Sequence, residues 1–379
     1  MLRVLIFHPA LAPYRVDLFN ALAERCILKV VFTNKNLLNQ KFDQVSLKNQ
    51  LHVDCSYLTK GINIGSRSLR MGIGKEIDSF KPDVVVSHEY SPITLAVIMH
   101  NILLCKRIKH VIWSADNPMM LCSEAFVRSK LRQLVLKFVN GLILYTDDIA
   151  NVYRNQFSFT KAIGVVPNIP SEGAFRKNLQ QSNTETIEII DEYNLNGKKV
   201  LLYIGRLTNV KRIDRLLNAF AELRNQLSDT QLVLVGDGDL REPLEDLSNK
   251  LGIGRQVVFT GRLEGKQLAA WYRLGSVFAL TSAQELFGAV VNEALLAGMP
   301  VVCSSMAGAK VLIQNEKNGE VVDAADQQLL KQSLLNWIKQ SPSISKKQLE
   351  GLRPSLMPLR FQEIVDSYMN LLSMVSEAD

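Results

Sequence analysis

Short unbroken apolar runs alternate along the chain with longer stretches whose apolar positions recur every three or four residues. The runs Arg3–Phe7, Leu28–Phe32, Val84–Ser87, His110–Trp113, Gly141–Tyr145, Ala162–Val165, Val200–Ile204, Gln231–Val235, Val257–Thr260, Val277–Leu280 and Pro300–Cys303 predict strands. Strands buried on both faces of a parallel sheet carry such runs, and helical patterns between them predict βα units. The runs are too many for one compact doubly wound sheet and suit two. The break falls at Pro167 to Gly197, where Pro167, Pro170 and Gly173 precede the polar run Lys177 to Glu188. That stretch reads as an exposed linker. The expected organisation is a domain over 1–172, a linker over 173–197, a domain over 198–357 and a terminal segment over 358–379. Ligands of such folds sit at the carboxyl ends of strands, so a cleft between two facing domains is the expected site.

One helical pattern stands out. From Val127 to Val139 the apolar residues Val127, Leu131, Leu134, Val135 and Phe138 share a face, and Arg128, Lys130, Arg132 and Lys137 fall largely elsewhere. One reading is a helix packed on the core with a solvated basic face. The other is an interfacial helix resting on anionic lipid headgroups.

Charge sharpens that choice. The net charge is +7, with 44 Lys+Arg against 37 Asp+Glu. Residues 1–175 hold 21 basic and 13 acidic residues, and 176–379 hold 23 and 24, so the excess lies wholly in the first half. An anionic membrane surface is therefore a candidate partner. Nucleic acid is not expected, because no recognition motif or basic run interleaved with aromatics is present. The longest apolar stretch, Pro92 to Cys105, is short and carries His100 and Asn101, so no transmembrane helix is expected. The start, MLRVLIFHPALAPYR, reads as a strand running into a loop rather than a signal peptide. Cys26, Cys55, Cys105, Cys122 and Cys303 are odd in number and scattered, which argues for reduced, buried thiols in a cytoplasmic protein.

Two segments carry chemistry. In Tyr203-Ile204-Gly205-Arg206-Leu207-Thr208-Asn209-Val210-Lys211-Arg212 a strand ends in Gly205 and a helix begins near Lys211 to Asp214. Arg206 and Lys211 would stand at a strand terminus beside the positive end of a helix, a setting that suits a diphosphate. In Thr281-Ser282-Ala283-Gln284-Glu285-Leu286-Phe287-Gly288-Ala289-Val290-Val291-Asn292-Glu293-Ala294 a loop carries Glu285, a helix opens near Gly288, and Glu293 lies one to two turns into it. The amides of Phe287, Gly288 and Ala289 would face a ligand, and the two carboxylates suit a polyol. Taken singly, both cations can be plain surface charges, Glu285 a helix cap and Glu293 a solvated side chain.

Together these segments resemble the nucleotide-sugar domain of GT-B glycosyltransferases, specifically the retaining family 4. The resemblance runs through G-R-L-x-x-x-K-R-I-D at Gly205–Asp214, V-G-D-G-x-L-R at Val235–Arg241 and F-T-G at Phe259–Gly261. It continues with the E-x7-E segment Glu285–Ala294, A-G-x-P-V-V at Ala297–Val302 and Asn318-Gly319. The first half is less similar, through Ala12–Leu22, Lys81–Val86 and Val165–Asn168, which resemble members that build surface polysaccharides. The resemblance implies two Rossmann-like doubly wound parallel-sheet domains facing a central cleft. Residues 358–379 would form a helix returning to the first domain. It implies a donor site of Gly205, Arg206, Lys211, Arg262, Glu285, Phe287, Gly288, Ala289 and Glu293. Arg206 and Lys211 would hold the diphosphate, Glu285 the sugar hydroxyls and Glu293 the ribose. The donor would be a nucleotide-diphosphate sugar of UDP or GDP type, with no metal and no further cofactor. The acceptor would be a glycan, on a lipid carrier, and the enzyme would sit on the inner face of the plasma membrane. Catalysis would rest on Glu285, Arg206, Lys211 and Asp116.

Departures from the family pattern are specific. Thr281 stands where Pro is common, and Lys310-Val311 follow Ala307-Gly308-Ala309 where many members have Glu. The first loop lacks a Gly-Gly pair. Trp113-Ser114-Ala115-Asp116-Asn117 occupies the place of a frequent His, which makes Asp116 a candidate to position the acceptor hydroxyl or accept its proton, or else a cap. His88 and Glu89 end another strand and are candidates to line the cleft. Asp237-Gly238-Asp239 reads as a turn rather than a metal site. The alternatives are a nucleotide-sugar epimerase of the same fold and a non-catalytic nucleotide-sugar-binding subunit.

Overall fold

Nine of the apolar runs become inner strands of two parallel sheets, and two, Ala162–Val165 and Val257–Thr260, become edge strands. The computed structural model describes residues 1–36, 42–64, 67–106, 108–118, 121, 125–346 and 351–378. It divides into a first unit of residues 1–170 with 361–379, and a second of 171–360. The first unit runs β1 (Arg3–His8), α1 (Pro13–Ala23), β2 (Ile27–Phe32), α2 (Gln44–Gln50), β3 (Asp54–Tyr57), β4 (Gly61–Ile64), β5 (Arg67–Arg70), α3 (Ile73–Phe80), β6 (Val84–His88), α4 (Pro92–Leu103), β7 (Lys109–Trp113), α5 (Phe126–Lys137), β8 (Gly141–Leu144), α6 (Asp147–Gln156) and β9 (Ala162–Val165). The second runs α7 (Glu172–Gln181), α8 (Asn183–Glu192), β10 (Lys199–Ile204), α9 (Ile213–Leu223), β11 (Thr230–Val235), α10 (Arg241–Lys250), β12 (Val257–Gly261), α11 (Gly265–Leu274), β13 (Val277–Leu280), α12 (Ala289–Leu296), β14 (Val301–Ser304), β15 (Gly319–Val322) and α13 (Gln327–Gln340). The last helix, α14 (Phe361–Glu377), belongs to the first unit.

The first sheet has the order β3-β2-β1-β6-β7-β8-β9 and the second β12-β11-β10-β13-β14-β15. Every pairing in both is parallel, and β4 with β5 forms a separate antiparallel hairpin. Each order reverses once. The chain leaves β1 toward β2 and β3, then crosses back to β6; it leaves β10 toward β11 and β12, then crosses back to β13. Connections on either side of such a reversal run on opposite faces, which leaves a crevice at the carboxyl ends of the two central strands.

The edge strands β3 and β15 have no continuous apolar run. An edge strand pairs on one side and need not bury both faces, and Asp54-Cys55-Ser56-Tyr57 is exposed or half-buried throughout. The stretch expected as an exposed linker, 173–197, instead contains α7 and α8, which pack on α11. Phe175 meets Tyr272 edge to face at 5.6 Å, and Tyr193 meets Trp271 at 5.5 Å. Polar residues on the outer faces hide a buried stripe of Leu179, Thr186, Ile189 and Ile190. Among the cysteines, Cys26 and Cys303 are buried as expected, but Cys55 is half-buried and Cys105 exposed; all four are free thiols, and Cys122 lies outside the described residues.

Helix α14 buries Ile364, Val365, Tyr368, Met369, Leu371, Leu372 and Val375. Tyr368 packs edge to face on Trp113 at 5.5 Å. Close approach to the sheet needs glycine on it: a Cβ at Gly164 would stand 2.9 Å from Leu371 Cδ2, and one at Gly141 2.9 Å from Val375 Cγ2. Gly164→Val is expected to destabilise the first unit by about 1–3 kcal/mol through overpacking, read as a lower denaturant midpoint. An unchanged midpoint would show that α14 does not depend on this contact.

Candidate functional site

In the second sheet the reversal lies between β10 and β13, and both chemistry-bearing segments emerge there. The loop after β10 passes Gly205 and Arg206 into a short 3-10 turn, Asn209–Lys211; Arg212 follows at φ +50° and opens α9. Gly236 braces this loop, since its own φ is +140° and a Cβ there would lie 1.9 Å from the Gly205 carbonyl oxygen. Leu207 N donates to Asp237 O at 2.9 Å, and the Asp237 carboxylate accepts from Gly238 N at 2.8 Å, so Asp237-Gly238-Asp239 is a supporting turn. Among the described residues no group of three or more His, Cys, Asp or Glu is placed to hold a metal ion.

The loop after β13 is stitched to the same turn. Thr281 Oγ1 donates to the carbonyls of Lys211 and Arg212, each at 3.1 Å, and Ala283 N donates to Val210 O at 2.9 Å. Thr281 thus does more than replace a proline: it fixes the turn that carries Lys211. Lys211 Nζ in turn pairs with the Glu285 carboxylate, both side chains mostly buried. Gly288, at φ +97°, starts α12, whose first-turn amides have no partner within the helix. Glu293, on that helix, accepts a hydrogen bond from Tyr272. Burial raises the Glu293 pKa, and the tyrosine bond opposes that rise.

The structure therefore joins Lys211 and Glu285 directly and sets Glu293 on the helix that follows. Arg206 is exposed; Tyr203 donates to its carbonyl at 3.0 Å. Arg262 lies just past the edge strand β12 and pairs with Glu264 at 2.5 Å on the surface. Phe287 is buried, and its carbonyl accepts from Ala309 N at 2.7 Å.

In the first sheet the reversal lies between β1 and β6, and a pocket of about 270 Å³ opens there. His8, Thr33, Asn34, His88, Glu89 and Tyr90 are among its lining residues. The His8 and His88 rings stand edge to face at 5.0 Å. His8 Nδ1 donates to Ala10 O at 2.9 Å, and among the described residues His8 Nε2 and His88 Nδ1 find no hydrogen-bond partner. Burial first, then the Arg15 charge, holds His88 down at about 3; His8 is pushed well below its usual range by burial, with His88 and Arg15 adding to the effect. Both rings are neutral near pH 7. Arg15 is itself buried, its guanidinium 4.2 Å from the Trp113 ring centre.

Glu89 carries the sharpest signal, one that sequence reasoning only touched. Its φ is +58°, a left-handed conformation that costs a non-glycine residue and gathers at functional sites. Its carboxylate accepts from Ser114 Oγ at 3.0 Å and from Ala115 N at 2.9 Å. Burial, then the neighbouring Asp116 charge, pushes its pKa up to about 7.

Asp116, expected on the acceptor side, is instead buried and fully engaged. It accepts from Arg132 at 2.8 Å, Tyr153 at 2.5 Å and Ser114 at 2.7 Å. Arg132 comes from α5 and lies 4.0 Å from the Tyr90 ring centre. A buried carboxylate with these donors is a support for its neighbours, and the carboxylate at the pocket is Glu89. Of the two readings of α5, the core-packed one does not hold for the stripe: Val135 and Leu136 are buried beside Arg132, whereas Val127, Leu131, Leu134 and Phe138 are exposed. Spacing defines a stripe but not its direction, and the Arg132–Asp116 pair turns this one outward.

Two Rossmann-like units, with a final helix packed on the first, form the GT-B architecture. The whole fold matches solved glycosyltransferase structures. The Anabaena protein Alr3699/HepE, solved in complex with UDP and glucose, has a TM-score of 0.70 at 16% identity, over 98% of this chain and 100% of that one. The lipopolysaccharide outer core galactosyltransferase WaaB has 0.67 at 17%, over 98% and 99%. Residues 185–350 match the family model for glycosyl transferases group 1. A Methanocaldococcus jannaschii glycosyltransferase is 40% identical over 122 residues, 32% of this chain and 31% of that one. A GDP-mannose-dependent alpha-(1-6)-phosphatidylinositol monomannoside mannosyltransferase from Mycolicibacterium smegmatis is 34% identical over 143 residues, 36% and 37%. In these alignments the chain spans about a third of each relative's length.

The Glu89 environment makes a stability prediction. With its pKa near 7 in the fold and at the usual 4.5 when unfolded, the folded chain keeps a proton that the unfolded chain releases. Stability from this group is therefore full below the unfolded value and is lost as pH rises through about 7. Glu89→Gln is expected to gain stability over wild type at pH 8 more than at pH 5, read from urea midpoints. The same difference at both pH values would show that Glu89 ionises normally.

Proposed function

We propose that the chain is a retaining glycosyltransferase that moves a sugar from a nucleotide-diphosphate donor, of UDP or GDP type, to a hydroxyl of a glycan on a lipid carrier. The observation that carries this reading is the Lys211–Glu285 pair at the β10/β13 crevice, with Glu293 on the helix beyond it. In this reading Lys211 and Arg206 hold the diphosphate, and the opening amides of α12 at Gly288 and Ala289 add their dipoles. Arg262 is a further donor contact on its exposed loop. Glu285, oriented by Lys211, accepts from hydroxyls of the sugar, and Glu293, oriented by Tyr272, accepts from the ribose.

The bond between the anomeric carbon and the diphosphate breaks, the acceptor oxygen bonds to that carbon on the same face, and the diphosphate leaves as an anion. Fixed cations on the leaving group stabilise the charge that develops there, which lowers the barrier without requiring a metal. On the acceptor side we assign the pocket at β1 and β6. Its neutral histidines offer hydrogen bonds to hydroxyls. Glu89, with a pKa near 7, is matched to taking the acceptor proton at neutral pH. Asp116 then acts by holding Ser114 and the Glu89 loop. Relatives named for lipid-linked acceptors and scattered free thiols support a lipid carrier and a cytoplasmic location.

A thermal-shift panel of UDP, GDP, ADP, CMP and dTDP, each with and without an attached sugar, tests the donor assignment. A nucleotide at about 100 times its dissociation constant should stabilise the fold by about 2.7 kcal/mol. Lys211→Ala should abolish both that shift and turnover, and full turnover in the variant would sink the diphosphate role. Glu293→Gln should weaken nucleotide binding. In the wild type, affinity should fall as pH drops through a range above that of an exposed glutamate, and the variant should lack this dependence. An unchanged dissociation constant would show that Glu293 does not touch the ribose.

A further inference from the structure

Ser87 on β6, His110 on β7 and Thr94 in the first turn of α4 are polar side chains with 0% exposure, and the reaction as read above uses none of them. Polar groups are costly in such an interior unless they hydrogen-bond, and these three do so in one chain. His110 Nε2 lies 2.8 Å from Ser87 Oγ, Ser87 Oγ lies 2.8 Å from Thr94 Oγ1, and Thr94 Oγ1 donates to the Glu89 carbonyl oxygen at 2.5 Å. The far end is anchored. His110 N donates to Asn140 Oδ1 at 3.0 Å, and Asn140 N donates to His110 O at 2.7 Å.

The chain can run in one direction. A carbonyl oxygen only accepts, so the single hydroxyl proton of Thr94 is committed to Glu89. Toward Ser87, Thr94 can then only accept, and Ser87, its own proton spent, can only accept from His110. His110 therefore carries its proton on Nε2. Burial lowers the His110 pKa to about 3 and keeps the ring neutral, while Nδ1 meets no hydrogen-bond partner among the described residues. Ser91 Oγ, 3.5 Å from Thr94 Oγ1, can add only a second donor there.

The residue at the end of the chain is the strained one. Glu89 holds its φ at +58°, and its backbone is pinned on both sides: its N donates to Trp113 O at 2.9 Å, and its carbonyl takes the Thr94 proton. A left-handed glutamate persists only where its surroundings over-determine it. Without the Thr94 bond the backbone would relax toward negative φ and carry the carboxylate away from Ser114 and Ala115.

We propose that His110, Ser87 and Thr94 are positioning residues, a one-way hydrogen-bond chain that holds Glu89 in its left-handed conformation and its carboxylate at the β1/β6 pocket. The inference deepens the reading of Glu89 as the group that takes the acceptor proton, and rests on that reading for its role in transfer. Its test needs no substrate. The charged and titratable groups that face the Glu89 carboxylate are Asp116, Arg132 and His88, whose Nδ1 lies 3.8 Å away, and the variants below leave all three in place.

The full chain is isotope-labelled at the glutamate carboxyls and the histidine nitrogens and titrated by NMR, with Glu89→Gln and His110→Gln identifying the two signals. In the wild type Glu89 should titrate near 7, and His110 should stay neutral with its proton on Nε2 throughout. Thr94→Val keeps the shape and removes the donor, and should lower the proton affinity of Glu89 by at least about tenfold, toward that of an ordinary glutamate. Thr94→Ser should restore it. His110→Gln, with an amide N–H in place of Nε2, should titrate like the wild type, and His110→Leu like Thr94→Val. A merely structural role would lower the thermal transition of these variants and leave the Glu89 titration where it was. If Thr94→Val fails to fold, the wild-type tautomer and the two His110 variants still decide. The proposal is overturned by a His110 proton on Nδ1, by a wild-type Glu89 that titrates as an ordinary glutamate, or by an unmoved titration in Thr94→Val and His110→Leu. Failure of the proton-transfer reading shows separately, as full turnover in Glu89→Gln while the titrations still shift as expected.

Discussion

Both candidate sites depend on one topological constraint, the single reversal of strand order in each parallel sheet. A right-handed crossover must put its helix on a definite face. A chain that first winds outward from β1 or β10 and then crosses back to β6 or β13 therefore leaves the ends of those two strands between helices on opposite sides. The residues at those ends are the unusual ones. At one reversal stand two neutral histidines and a glutamate with a left-handed backbone; at the other a lysine is paired with a glutamate beside a helix start. Polar groups concentrate there because elsewhere the strands are buried on both faces and admit little but aliphatic side chains.

A second dependence runs through the Arg132–Asp116 pair. Removing either partner would leave an uncompensated charge in the interior, so the pair fixes whatever it touches. On one side it fixes the 114–116 loop, and with it the two hydrogen bonds that hold the Glu89 carboxylate. On the other it fixes the rotation of α5 and so the outward direction of Val127, Leu131 and Leu134. A pocket residue and a surface stripe are thereby set by the same buried contact. The Asp116 charge also raises the Glu89 pKa, so the contact that places this carboxylate also tunes it.

What the sequence made legible follows from how each feature is encoded. The inner strands were legible because double-sided burial leaves continuous apolar runs, and the loops after β10 and β13 because their residues lie close together in order. Glu285 and Lys211 are far apart in the chain, yet each sits in a segment whose local shape, strand then loop then helix, is written in it. Helices α7 and α8 were hidden because their buried face is a thin stripe within a polar composition. The buried contacts of Asp116 were hidden for a different reason. Its partners Arg132 and Tyr153 lie 16 and 37 residues away, and no local pattern says that an aspartate after a strand will turn inward rather than face a ligand. The direction of the α5 stripe was left open for the same reason, since periodicity has no sign and the contact that sets it is not local. Glu89 left one trace, its place at a strand end, and its backbone conformation appears only in the fold.

The two crevices differ in electrostatic character in a way that fits a division of labour. At the β10/β13 reversal the groups are charged, with a cation held in register by Thr281 and countered by Glu285. At the β1/β6 reversal burial and Arg15 strip the charge from both histidines, and Glu89 stands near its midpoint at neutral pH. A diphosphate demands fixed positive charge, and a neutral hydroxyl does not. A hydroxyl demands hydrogen-bond partners and a group that can accept a proton as the oxygen becomes a nucleophile, and a carboxylate with an ordinary pKa would be a weak acceptor for that proton. In the proposed reaction a charged donor would meet the first environment and an uncharged acceptor the second. The same fold, repeated along one chain, would thus supply two chemistries because the side chains at its two reversals are buried to different extents beside different neighbours.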